Sequence, residues 1–267
     1  MKYRLYNVGT LACTPASLKP MMWQKLDPNI DLGRDEIHVW RAKLDRPLQD
    51  AQSALPCLAE DERARAMRFH FDNHRRDFVV ARTFLRSVLA RYLDQEPTQI
   101  KFEYSGYGKP AIAAPSRGTP LLFNLTHSHQ LALLAVTAQA EIGIDVEFIR
   151  PVHDGIAERY FSCAEVAELR ALPGALQNEA FFNCWTRKEA YIKARGEGLS
   201  LPLDDFDVSL APGAPAAILG VRNGEEASLW RLEHLQPGPG YVGALAIRAL
   251  KTELKFWDWE WPDGGMM

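Results

Sequence analysis

The stretch Glu141–Ile149, EIGIDVEFI, constrains the fold of this chain more than any other. It carries the apolar content of a strand, interrupted by two acids. Side chains alternate faces along a strand, so Asp145 and Glu147 share one face while Ile144, Val146 and Phe148 share the other. The apolar face requires a packed layer against it. The acidic face brings two like charges together, and they need either solvent or a cation. For an isolated pattern of this kind the solvated face is the commoner outcome.

A second segment shifts that balance. NEAFFNCWTRKEAYIKAR has helical spacing and is followed by Gly196, a residue suited to a helix C-terminus. Trp185, Glu189 and Ile192 fall on one stripe at i, i+4 and i+7. Trp185 and Ile192 call for burial, which draws Glu189 toward an interior or a cleft, and a buried carboxylate needs a partner. Lys193, one turn on, offers an ordinary pair worth ~0.2–0.5 kcal/mol at a surface. The alternative joins Glu189 to Asp145 and Glu147 as a three-carboxylate magnesium site. Hard oxygen ligands that leave part of the coordination shell to water and phosphate suit Mg²⁺.

The chain has 267 residues, 47% of them hydrophobic, enough for one large domain or two modest ones. Pro15, Pro20, Pro28 and Gly33 mark residues 1–36 as an irregular, surface-draped extension. EIHVWRAKL alternates as a first strand. Glu60 to Leu93 is helical with a break near Asp72–Asn73, and Phe78, Leu85, Leu89 and Tyr92 face the core. IKFEYS and LLFNLTHSHQLALLAVTA supply further strands, CAEVAELRAL a helix, and FDVSL, EASLWRLEHL and YVGALAIRAL a second sheet. The tail FWDWEWPDGG reads as an edge strand with one packed face, ended by Pro262. The expected class is α+β, with sub-domains over 37–139 and 140–267 behind the extension at 1–36. No residue-level repeat links the halves.

A net charge of -3 gives no global nucleic-acid signature. Cys13, Cys57, Cys163 and Cys184 lack metal-site spacing and are expected as free thiols. With no signal peptide and no bilayer-spanning apolar run, the expected location is the cytoplasm. Eight arginines fall between Arg63 and Arg91. Arg75, Arg82 and Arg86 lie on a stripe opposite the apolar one, ordinarily a solvated face. His127, in a polar centre flanked by apolar strands, is by itself more often a satisfied structural histidine than a catalyst.

Taken in order, GKP, FNLTHS, GIDVE and WTRKEAYIKARGEGL resemble the 4′-phosphopantetheinyl transferase superfamily, in the longer surfactin-synthetase-activating form. The resemblance covers roughly Ile37 to Leu250. It implies two similar α/β halves in pseudo-twofold arrangement within a monomer, with coenzyme A in the cleft between them. It implies transfer of phosphopantetheine from coenzyme A to a carrier-protein serine, a holo-[acyl-carrier-protein] synthase activity that leaves adenosine 3′,5′-bisphosphate. Asp145 and Glu147 match the family's metal pair. Glu189 matches the third acid, a metal ligand, a candidate base or both. Lys193 matches a lysine near the reacting phosphates. Lys109, Thr126 and His127 match positions that hold the coenzyme's nucleotide and 3′-phosphate. Thr126 stands where the family usually has serine, and the hydroxyl is retained. Arg65 and Arg76 lie where the family supplies basic phosphate contacts. The chemistry suits these groups, because such transfers depend mostly on positioning and charge neutralisation. Glu189 would take the serine proton directly or through a water. The implied partners are acyl, peptidyl or polyketide carrier proteins, with no nucleic acid and no membrane. Two rivals remain at this point: a non-catalytic coenzyme A or carrier-binding module, and a magnesium-dependent nuclease or nucleotidyl transferase. The latter would need a nucleic-acid track with interleaved aromatics.

Overall fold

The computed structural model describes residues 21–25, 30–113, 120–222, 227–249 and 251–261. A two-residue strand, β1 (Trp23–Gln24), precedes β2 (Glu36–Lys43). Helices α1 (Leu48–Ala54), α2 (Glu60–Ala66) and α3 (Asp72–Leu93) follow. The break expected near Asp72–Asn73 is the gap between α2 and α3. The small hairpin β3 (Phe102–Tyr104) and β4 (Pro110–Ile112) leads to the longer hairpin β5 (Leu122–Ser128) and β6 (Leu131–Thr137). The second half runs β7 (Ile142–Phe148), α4 (Ile156–Tyr160), α5 (Cys163–Ala171) and α6 (Gly174–Arg195). It closes with β8 (Phe206–Val208), β9 (Ile218–Val221), β10 (Arg231–Leu235), β11 (Tyr241–Ile247) and β12 (Glu253–Asp258).

The class is α+β, and the halves repeat one plan. In the first, β2, α3, β5 and β6 follow in sequence and the strands lie in the order β2-β6-β5, all antiparallel. In the second, β7, α6, β10 and β11 follow in sequence and the strands lie in the order β7-β11-β10, again antiparallel. Both long helices have 22 residues and end at a left-handed residue, Asp94 (φ 51) and Gly196 (φ 74). A duplication with no visible sequence repeat is therefore present in the topology.

Each sheet buries one face under its own helix. Trp40, Leu134 and Phe123 pack with Val80, Phe84 and Leu89 of α3. Ala244 and Leu232 pack with Tyr191 and Ile192 of α6. The other faces meet in a third core, where Ile37, Val39, Leu133 and Ala135 touch Ile144, Val146, Leu245 and Ile247. Of the α3 residues expected inside, Leu85 and Leu89 are fully buried and Phe78 and Tyr92 partly so.

Three expectations need correction. The tail is not a free edge: β12 pairs in parallel with β2 and returns to the first sheet, between β1 and β2. Trp257 and Trp259 are buried there, and Pro262 lies outside the described residues. The extension is not wholly irregular, because Trp23 and Gln24 pair with Phe256 and Trp257. Residues 1–20, with Pro15, Pro20 and Cys13, and Pro28 lie outside the described residues. The arginine stripe is not a solvated face. Arg82 and Arg86 both ion-pair with Glu62 of α2, and Arg86 and Glu62 are buried. The chain break after α2 folds that acid back over α3, a contact that helical periodicity alone does not reveal. Cys57, Cys163 and Cys184 are free thiols. No described helix is long and apolar enough to cross a membrane.

Candidate functional site

Strand β7 lies against α6 at very short range. A Cβ built on Gly143 would sit 2.1 Å from the Ala190 carbonyl oxygen and 2.3 Å from the Ala194 nitrogen, so only glycine permits this approach. The close contact lets side chains two and four residues further along β7 face the last turns of α6. Asp145 is buried, and Glu147 and Glu189 are half-buried.

On the other side, β5 leans its polar face onto the free edge of β7. Asn124, Thr126 and Ser128 alternate along β5 and all reach across. The Asn124 side-chain oxygen accepts the Ile144 N–H at 2.9 Å. The Thr126 hydroxyl donates to Asp145 Oδ1 at 3.0 Å. The Ser128 hydroxyl donates to Glu147 Oε2 at 2.8 Å and accepts the Phe148 N–H at 3.2 Å. These contacts satisfy an otherwise open strand edge and fix both acids from the first half of the chain. Sequence reasoning missed Asn124 and Ser128. Their signal was present as a polar residue at every second position of FNLTHS.

Lys193 does not pair with Glu189 as a local i,i+4 rule suggests. Its ammonium lies 2.6 Å from Asp145 Oδ1 and 3.3 Å from Thr126 Oγ1. Asp145 is the more deeply buried acid, so its demand for a cation is greater. Its second oxygen, Oδ2, is buried and has no hydrogen-bond partner. Burial raises the Asp145 pKa, Lys193 and Thr126 oppose that rise, and the charge of Glu147 adds to it. Burial also raises the pKa of Glu189; Lys193 opposes, while Asp145 and Glu147 push further in the same direction. The three carboxylates therefore lie within each other's electrostatic reach, across two separate elements. Arg150, also missed in sequence, donates to Glu147 Oε2 at 2.9 Å.

Among the described residues, no group of three His, Cys, Asp or Glu side chains forms a ready metal cage. Asp145 Oδ1 and Glu147 Oε2 are engaged by Lys193, Thr126, Ser128 and Arg150. The donor set still fits a hard divalent ion: all-carboxylate oxygen, one buried oxygen without a partner, and acids that repel one another without a cation.

The residues expected to contact phosphate occupy several places. His127 is exposed, on the face of β5 opposite Thr126. Its pKa is lowered, first by the surrounding protein and then by Lys193, against pulls from Asp77, Asp145 and Glu147. Asp77 of α3, one of the charges acting on His127, pairs with Arg76 at 2.8 Å. Arg65 stacks over the neighbouring Phe78 ring at 5.2 Å. His129 adopts φ 50 at the hairpin tip and packs its ring on Phe148 at 4.8 Å. Lys109 lines a cavity of about 400 Å³ with Tyr104, Glu141 and Arg195, and its ammonium donates to two backbone carbonyls. A larger cavity of about 780 Å³, lined by Arg41, Lys43 and Trp259, contains none of the three acids.

Residues 141–246 match the 4′-phosphopantetheinyl transferase superfamily, and residues 35–140 match the family described as 4′-phosphopantetheinyl transferase, N-terminal. The chain is 41% identical over 237 residues to the 4′-phosphopantetheinyl transferase HetI of Nostoc sp., covering 88% of this chain and 97% of that protein. It is 33% identical over 169 residues to the 4′-phosphopantetheinyl transferase Sfp of Bacillus subtilis, covering 62% and 74%. Among solved structures it is similar to Thermotoga maritima holo-[acyl-carrier-protein] synthase, with TM-score 0.34, 19% identity and coverage of 41% of this chain and 63% of that one.

Proposed function

The chain belongs to the 4′-phosphopantetheinyl transferase superfamily, and on that premise we propose how its own groups carry the transfer. The substrates are coenzyme A and the serine of a carrier protein. The serine oxygen attacks the phosphorus that bears pantetheine. A new serine O–P bond forms, the diphosphate bridge breaks, and adenosine 3′,5′-bisphosphate leaves with the bridging electron pair.

The observation that carries this assignment is geometric: β7, with Asp145 and Glu147 on one face, packs directly against α6, which bears Glu189, beside the partnerless buried oxygen of Asp145. Those three acids would hold Mg²⁺, which when bound supplies Lewis-acid neutralisation of the diphosphate. Glu189, with its raised pKa, accepts the serine proton. Lys193, released from Asp145 Oδ1, meets the charge that develops on the departing phosphate. Thr126 holds Asp145 in place and lines the nucleotide side. His127, Arg76 and Arg65 face the 3′-phosphate, where arginine offers paired donors. The carrier is an acyl, peptidyl or polyketide carrier domain, and the working unit is a cytoplasmic monomer with sub-domains at 37–139 and 140–267.

Incubation with apo carrier protein, coenzyme A and Mg²⁺, followed by intact mass of the carrier, tests the proposal. A phosphopantetheine-sized gain is expected. Coenzyme A binding with no mass gain would instead support a binding module, and cleavage of added nucleic acid would support a nuclease.

A further inference from the structure

Lys109 ends the turn that leads into β4, in the first half of the chain. That turn is closed on itself: the Ser105 hydroxyl accepts the Tyr107 and Lys109 N–H groups at 3.3 and 3.1 Å, and the Ser105 N–H donates to the Lys109 carbonyl at 3.0 Å. From this fixed base the side chain crosses to the second half. Its ammonium donates to the Ile142 carbonyl at the start of β7 and to the Ala194 carbonyl at the end of α6, both at 3.1 Å. Its stem lies against Gly196, where an added Cβ would sit 3.5 Å from Lys109 Cδ. Ala194 lies in the last turn of α6, whose carbonyls lack partners within the helix, and a cation there is favoured by the helix dipole.

We propose that Lys109 is a positioning residue for the transfer. By tying the entry of β7 and the exit of α6 to one turn, it sets the spacing between the strand acids Asp145 and Glu147 and the helix groups Glu189 and Lys193. It does not serve as a ligand of the coenzyme's 3′-phosphate. An ammonium has three N–H groups, and two are already committed. Full engagement with a phosphate would strip two carbonyls of their partner. The contact lies next to Gly143, whose lack of a side chain permits the same helix–strand approach at Ala194. The inference rests on the assignment of β7 and α6 made above.

The test uses the full chain with apo carrier protein and Mg²⁺, comparing coenzyme A with 3′-dephospho-coenzyme A. Wild type and Lys109→Met are assayed at a temperature where circular dichroism shows both folded. The expected result is a fall in kcat of about tenfold or more for both donors, the penalty of misplaced reacting groups. The ratio of kcat/KM between the donors should stay near the wild-type value. Lys109→Arg, which keeps N–H donors for both carbonyls, should recover most of kcat. If Lys109→Met does not fold, Lys109→Gln, which loses the charge but keeps an amide, gives the same ratio. A ratio that collapses toward one while kcat is retained would show a phosphate ligand and overturn the inference. A wild type that transfers nothing would remove the functional assignment and this inference with it, an outcome distinct from a changed ratio.

Discussion

Glu189 occupies a position where a carboxylate is costly without a cation. Burial and two neighbouring acids all disfavour its charge. Replacing it by glutamine keeps the shape and removes the proposed base. Glu189→Gln should therefore lower transfer by about 10²–10⁴-fold while the far-ultraviolet dichroism is unchanged; turnover near wild type would remove Glu189 from the chemistry. A separate residue contributes to acid stability. Glu36 binds Lys255 and His38, and the Lys255 contact leads in lowering its pKa from 4.5 to about 2. A depressed carboxyl stabilises the fold above its unfolded value and loses that contribution as pH falls through the folded one. Wild type should thus lose stability between pH 4.5 and about 2, and Glu36→Gln should show a flatter curve over that range in urea titrations. Single residues were unevenly legible. The shared face of Asp145 and Glu147 follows from strand period alone. The partner of Lys193 does not, because local spacing points to Glu189 while the deeper burial of Asp145 wins.

At the level of elements, the site depends on how closely β7 and α6 approach. Gly143 is the residue that permits it, with backbone atoms of α6 inside the volume a methyl group would take. Gly143→Ala must push strand and helix apart. It should cost about 1–3 kcal/mol of stability, as overpacking does, and should weaken Mg²⁺-dependent activity more than coenzyme A binding; a variant with normal melting temperature and rate would refute the approach. The element boundaries were largely readable from pattern, including both long helices and the 122–137 hairpin. Their pairing was less so. The polar ladder Asn124, Thr126 and Ser128 looks like a solvated strand face until β7 is placed beside it. Glu62 looks like an exposed helix acid until α2 folds over α3 and buries it with Arg86.

Over the whole molecule, one strand–helix–strand–strand plan occurs twice, and the acids sit where the two copies meet. That duplication left no mark in residue identity, since each copy needs only the same alternation and helix length. The return of β12 to β2 was equally silent: its alternating tryptophans announce a strand, and nothing local names a partner more than two hundred residues away. A site built between halves should tighten the whole fold when filled. Coenzyme A at about 100 times its Kd should add about 2.7 kcal/mol, visible as a rise in melting temperature that shrinks when Mg²⁺ is removed by chelation; a chelator-insensitive rise would separate coenzyme binding from the metal. The most direct measurement is an anomalous difference map from crystals grown with coenzyme A and Mn²⁺ in place of Mg²⁺. The account predicts one peak between β7 and α6, beside the diphosphate, with oxygens of Asp145, Glu147 and Glu189 at about 2 Å. A peak held by other groups, or a Glu189 carboxylate turned away from it, would contradict the account.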